Sequence, residues 1–176
     1  MKNNFSPLSI RDTETQHESR ATPPRMSMRC RDNFMAEALK WAKIAFEKNE
    51  VPVGAVIVEN GKIIASAHNY NITLADPTAH AEILALRAAA KTKNSARLDD
   101  CDLYVTLEPC SMCASAIALA RIRRVYYGAS DKKFGAVENG AQIFSSSSCF
   151  HKPEIYSGIR EEESKELMVK FFKTRR

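Results

Sequence analysis

Two short stretches restrict how this chain can fold: His80-Ala-Glu82 and Pro109-Cys110-Ser-Met-Cys113. Zinc takes imidazole nitrogen and cysteine thiolates in a tetrahedral site, and three protein ligands leave a fourth position for water. Cys110 and Cys113 stand one helical turn apart, so both sulfurs can face one point. His80 reaches that point only if the fold brings a second helix start against the first. Backbone N–H groups and the helix dipole favour thiolate and bound anion at both starts. Zinc lowers the pKa of its water to about 7. Glu82, two residues from a ligand, is placed to move the proton that hydrolysis must transfer.

Each part also has an ordinary explanation. A single histidine at a helix start caps it, a single C-x-x-C is a redox pair or half a zinc knuckle, and a first-turn glutamate suits the dipole. A redox pair explains neither His80 nor Glu82, and a structural zinc has no use for a proton shuttle. Of the five cysteines, Cys101 and Cys149 have no helpful spacing for a fourth ligand. The odd count argues against a disulfide framework and for a reducing, cytoplasmic setting.

The 176 residues suit one domain plus a tail. Residues 1–31 are rich in Ser, Thr, Pro and charge and are expected to be disordered. The folded, metal-binding domain is expected to span 32–176. Net charge is +5, to which the tail contributes six basic and three acidic side chains. The remainder gathers at Arg121, Arg123, Arg124, Lys132 and Lys133, and at Lys170, Lys173, Arg175 and Arg176. Such clusters suit an acidic partner or a merely solvated face. No apolar run approaches the roughly 20 residues of a membrane helix.

Asp32 reads as the cap of a first helix ended by Pro52. Val53–Val58 and Lys62–Asn69 read as a hairpin around Glu59-Asn60-Gly61. A polar loop over Tyr70–Thr78 follows, and Asp76-Pro77-Thr78 opens an alanine-rich helix running to about Thr92. Leu103–Thr106 and Arg124–Gly128 read as strands flanking a helix from Pro109 to about Arg121. Residues 129–153 read mostly as loop, Glu154–Tyr156 as a last strand and Glu161–Phe172 as a closing helix. Strands alternating with helices after a hairpin imply an α/β fold: a mixed sheet with helices on both faces.

H-x-E followed by P-C-x-x-C is the pattern of zinc-dependent nucleobase deaminases. With Val51–Ala55 (VPVGA), Asp76–Glu82 (DPTAHAE), Leu103–Cys113 (LYVTLEPCSMC) and Tyr127–Ala136 (YGASDKKFGA), residues 32–176 resemble the bacterial tRNA-specific adenosine deaminases of the cytidine/deoxycytidylate deaminase superfamily. The resemblance implies a three-layer α/β/α sandwich with a five-stranded sheet, and a cytoplasmic homodimer with one zinc per subunit. It implies conversion of adenosine to inosine at the wobble position of a tRNA anticodon stem-loop, with no membrane partner. His80, Cys110 and Cys113 would hold zinc, and Glu82 would shuttle the proton. Asn69 would hydrogen-bond the flipped base, and Val53 and Ala81 would line its pocket. Asp131 would approach the target ribose, Lys133 the backbone, and Phe172 a flanking nucleotide, with Phe171 free to pack in the core.

One rival is a deaminase of the same fold acting on free guanine, cytosine or a pterin. It needs no phosphate-binding surface, so the basic 121–133 segment and C-terminus favour tRNA. A second rival is a binding protein with structural zinc, against which Glu82 stands.

Overall fold

The computed structural model describes residues 27–173 and 175. The expected disorder of the tail falls mainly on residues 1–26, outside the described residues. Residues 28–31 are helical, a correction to the expected boundary. Helix α1 spans Met28–Glu47, so Asp32 lies inside it rather than capping it. The helix also ends before Pro52. Asn49 turns left-handed with φ 61°, and the N–H groups of Asn49 and Glu50 bond back to Phe46 and Ala45 at 3.1 and 2.9 Å. That pairing closes the last turn and delivers Glu50 into the interior, 1% exposed.

Strands β1 (Gly54–Glu59) and β2 (Lys62–His68) form the expected hairpin. Asn60 and Gly61 both take positive φ, 49° and 77°, the mirror-image turn that matches strand twist. The polar loop beyond β2 holds a short helix, α2 (Asn71–Leu74). Then come α3 (Ala81–Lys93), β3 (Cys101–Leu107), α4 (Ser111–Leu119), β4 (Arg124–Ala129), a 3-10 turn at Ile143–Ser145, β5 (Glu154–Tyr156) and α5 (Glu161–Lys173). The strand order is β2-β1-β3-β4-β5. β1 runs antiparallel to both neighbours, and β3, β4 and β5 are parallel. This is the five-stranded mixed sheet expected.

Alternation along the strands separates two cores. Ala55, Ile57, Leu103, Val105, Val125 and Tyr127 pack under α3 and α4. Val56, Val58, Tyr104 and Tyr126 face Met35, Ala38 and Leu39 of α1, with α5 beside α1 over β4. Tyr104, Tyr126 and Tyr156 stack across adjacent strands, with ring centroids 4.4 and 4.8 Å apart. Close approach makes Gly54 obligatory: a Cβ there would lie 2.1 Å from the Ala38 carbonyl oxygen. The parallel β3–β4 pair puts both carboxyl ends at one edge of the sheet, where open α/β sheets place ligands.

Candidate metal centre and active site

The helix expected from Asp76 starts later. Asp76 Oδ1 instead accepts from the N–H and hydroxyl of Thr78 at 2.8 and 2.7 Å. That turn delivers His80 as the N-cap residue of α3. Cys110 is likewise the N-cap residue of α4, with Cys113 in its first turn. Two helix N-termini therefore meet at the end of β3. His80 Nδ1 lies 3.7 Å from Cys110 Sγ and 3.5 Å from Cys113 Sγ. A tetrahedral centre with Zn–S of about 2.3 Å and Zn–N of about 2.1 Å sets nitrogen and sulfur about 3.6 Å apart. The donor set fits zinc in both type and spacing.

The three groups compete for protons. The hydrogen bond from Cys113 and then that from His80 hold the Cys110 thiol down to about 4, against burial. Cys113 is pushed well above the thiol range by its hydrogen bond to Cys110, by burial and by Glu82. The Cys110 hydrogen bond raises His80, against burial. A divalent cation would take the place of the proton shared among them. Cys101 joins a different group, with Glu59 and Asp100. There Lys93 bonds Glu59 and stands 3.0 Å from Asp100, so a lysine already supplies the cation. Cys149 points at the His151 carbonyl oxygen, 3.1 Å away.

Glu82 lies 4% exposed in the first turn of α3. Burial pushes its carboxyl above the ordinary range, opposed by its own N–H and by His80. It borders a cavity of about 960 Å³ that also reaches His80, Cys110, Val53, Asn69, Asp131, Lys133 and Phe172. Cys113 and Ala81 are fully buried and do not border it. Ala81 instead gives its N–H to Asn69 Oδ1 at 2.8 Å. That bond caps α3 and commits the acceptor end of the Asn69 amide, leaving the NH₂ end to donate. His68 Nδ1 lies 2.6 Å from the Asn69 carbonyl oxygen.

Asp131 Oδ1 accepts from the N–H groups of Lys133 and Phe134 at 2.9 and 3.1 Å, folding the turn that presents both side chains. Phe171 is 3% exposed, whereas Phe172 is 50% exposed and borders the cavity.

The basic segment reads differently in three dimensions. Arg123 pairs with Asp102 at 2.9 Å. Arg124 is 2% exposed and pairs with Glu154 at 3.3 Å. These arginines are committed to carboxylates on β3 and β5. Arg175 bonds the Asn49 carbonyl oxygen at 2.7 Å and covers the Phe171 ring. The cations at the cavity are Lys132, Lys133 and Lys165.

Sequence reasoning missed two buried carboxylates bordering the cavity. Glu50 accepts from the N–H groups of Ile72 and Thr73 at 3.1 and 2.7 Å, fixing α2. Burial raises its carboxyl, yet those bonds bring it below the ordinary range. Glu108 gathers donors from residues 130–139. Burial raises it too, and the Asn139, Asp131 and Glu138 donors overcome that. The signal available for Glu108 was an acid directly after an apolar run and before Pro109.

A mixed five-stranded sheet whose two helix starts share a zinc-type donor set defines a zinc-dependent deaminase domain. Residues 28–129 match the cytidine and deoxycytidylate deaminase zinc-binding region, and the chain belongs to that family. Within it, the chain groups with the tRNA-specific adenosine deaminases. It is 57% identical over 141 residues to the one from Rickettsia felis, covering 79% of this chain and 98% of that protein. A solved structure from work on A-to-I editing by tRNA:A34 deaminases superposes with TM-score 0.76 at 53% identity, over 77% of this chain and 98% of that one. A guanine deaminase from Bacillus subtilis is 44% identical over 56% of this chain and 64% of its own, with TM-score 0.55. Zinc is the metal of this domain. Among the described residues, no helix is long and apolar enough to cross a membrane.

Proposed function

We propose that this protein hydrolyses adenosine to inosine at position 34, the wobble position, of a tRNA anticodon. The relatives' substrate supports the reading. The single structural observation that carries it is the cavity. Its lining joins buried Glu82 and half-buried His80 and Cys110 to Asp131 and to exposed Lys132, Lys133 and Phe172. At about 960 Å³ it sits at the upper end of small-molecule sites, about 300–1,000 Å³. A free base needs neither that reach nor the lysines.

His80, Cys110 and Cys113 would hold zinc, which when bound supplies a water acidic enough to act near neutral pH. Glu82 takes one proton from that water and passes it to the ring nitrogen N1, then takes the proton of the new C6 hydroxyl and passes it to the departing amine. The new bond joins water oxygen to C6 of adenine, the C6–N bond breaks, and ammonia leaves. The NH₂ of Asn69 donates to a ring nitrogen of the extruded base, with Val53 against its face and Ala81 behind Asn69. Asp131 approaches the ribose, Lys133 the backbone, and Phe172 stacks a neighbouring base.

A homodimer with one zinc per subunit in the cytoplasm belongs to the same proposal. Exposed Leu119 and Phe150, outside the cavity, leave apolar surface for such an interface.

The test compares substrates for one zinc-loaded preparation: an anticodon stem-loop with adenosine at the wobble position, free guanine, and free cytosine. Turnover of the stem-loop alone is expected. Turnover of guanine or cytosine alone would move the protein to the free-base deaminases.

A further inference from the structure

Glu108 directly follows β3, just before the metal-ligand segment, and is 3% exposed. Six donors converge on it. Oε1 accepts from the N–H groups of Val137, Glu138 and Asn139 at 3.2, 2.9 and 2.9 Å. Oε2 accepts from the N–H of Asp131 at 3.0 Å, Asn139 Nδ2 at 2.6 Å and Ser130 Oγ at 3.3 Å. A carboxylate offers about four lone-pair sites and no donor, so both oxygens are fully used.

The same loop is tied to the metal-ligand segment by backbone. Ala136 N–H donates to the Pro109 carbonyl oxygen at 2.9 Å, and Cys110 pairs with Gly135. A Cβ at Gly135 would meet the Glu108 carboxylate at 2.5 Å. Tyr127 hydroxyl bonds Glu138 at the loop's far side. Asp131, Lys132, Lys133 and Phe134, all bordering the cavity, ride on this loop.

We propose that Glu108 is a positioning residue that sets the nucleotide-contacting loop in register with the metal centre. Its side chain fixes Asp131 while its own backbone leads, one residue on, to the bonds that place Cys110. The distance from ribose contact to reacting atom is thereby set through one residue. The inference rests on the tRNA reading for what Asp131 touches, but not for how the loop is held.

Glu108→Gln tests it. Donors face both oxygens, so either orientation of the amide sets its NH₂ against N–H groups, and no flip relieves this. The loss should fall mainly on KM for the stem-loop, rising about tenfold or more, with zinc per chain unchanged. Amide exchange should speed up at Asp131 and Val137–Asn139 and hold in β3. Asn139→Ala, which removes one donor and keeps the carboxylate, should shift both readouts the same way by less. Unchanged KM and exchange in either soluble variant would overturn the proposal. Zinc loss with native KM in the remaining loaded enzyme would also overturn it, because Glu108 would then serve the metal. A wild-type protein inactive on the stem-loop would refute the tRNA reading instead, and the exchange data would still decide what holds the loop.

Discussion

Asn69 carries two duties on one amide, and two substitutions separate them. Its Oδ1 satisfies the buried N–H of Ala81 at 2.8 Å, and the residue is 6% exposed. Asn69→Ala orphans that donor at the start of α3, costing about 1–3 kcal/mol. For a domain of this size that lowers Tm by about 3–10 °C. Asn69→Asp keeps an acceptor, and an anion at a helix N-terminus is favourable, so stability should fall by less than about 1 kcal/mol. Both remove the NH₂ that donates to the base, and both should cut kcat/KM about 10- to 100-fold. The assay pairs thermal unfolding at matched zinc content with single-turnover deamination of the stem-loop. Wild-type kcat/KM in Asn69→Asp would refute the donor role. Wild-type stability in Asn69→Ala would refute the cap.

Cys113→Ala should lose zinc and unfold at a lower temperature, because the metal binds only the folded arrangement; full metal content by elemental analysis would exclude Cys113 as a ligand. Glu50 has a folded pKa below the usual glutamate value, so its stabilisation is complete above about pH 4.3 and drains as pH falls through the lower folded value. The gap in unfolding free energy between wild type and Glu50→Gln should therefore close below that pH, and a gap independent of pH would contradict the assignment. Lys133→Ala should weaken stem-loop binding and reduce the slope of log K against log salt by about 0.7 if it meets one single-strand phosphate; an unchanged slope would place the lysine off the backbone.

Features written in local sequence were legible. Asn60-Gly61 specified its turn, and the apolar runs at Val53–Val58 and Leu103–Thr106 marked β1 and β3. The spacing of Cys110 and Cys113 put two sulfurs on one side of a helix start because helix geometry converts sequence offset into direction, and His80 joined them once the fold set its own helix start alongside. Features set by distant partners were not. α2 exists because Glu50, more than twenty residues upstream, takes its N–H groups. Glu108 could not be read as a loop anchor, since its partners lie 22 to 31 residues downstream. Arg124 looked like RNA-facing charge until Glu154 arrived on the neighbouring strand. Asp32 and Asp76 misled as helix starts because capping preference is weak beside context. Nothing interrupts α1 between Met28 and Asp32, and Asp76 spends its carboxylate on Thr78.

The central claim is that Glu82 moves the proton for zinc-assisted hydrolysis at a wobble adenosine. Its most direct test is nucleoside analysis of a tRNA carrying adenosine at that position, after incubation with wild type or Glu82→Gln, each with zinc counted. Wild type should yield inosine there and nowhere else. Glu82→Gln should keep its zinc and slow the reaction by about 10²- to 10⁴-fold. Inosine formed at the wild-type rate by a zinc-loaded Glu82→Gln would contradict the account.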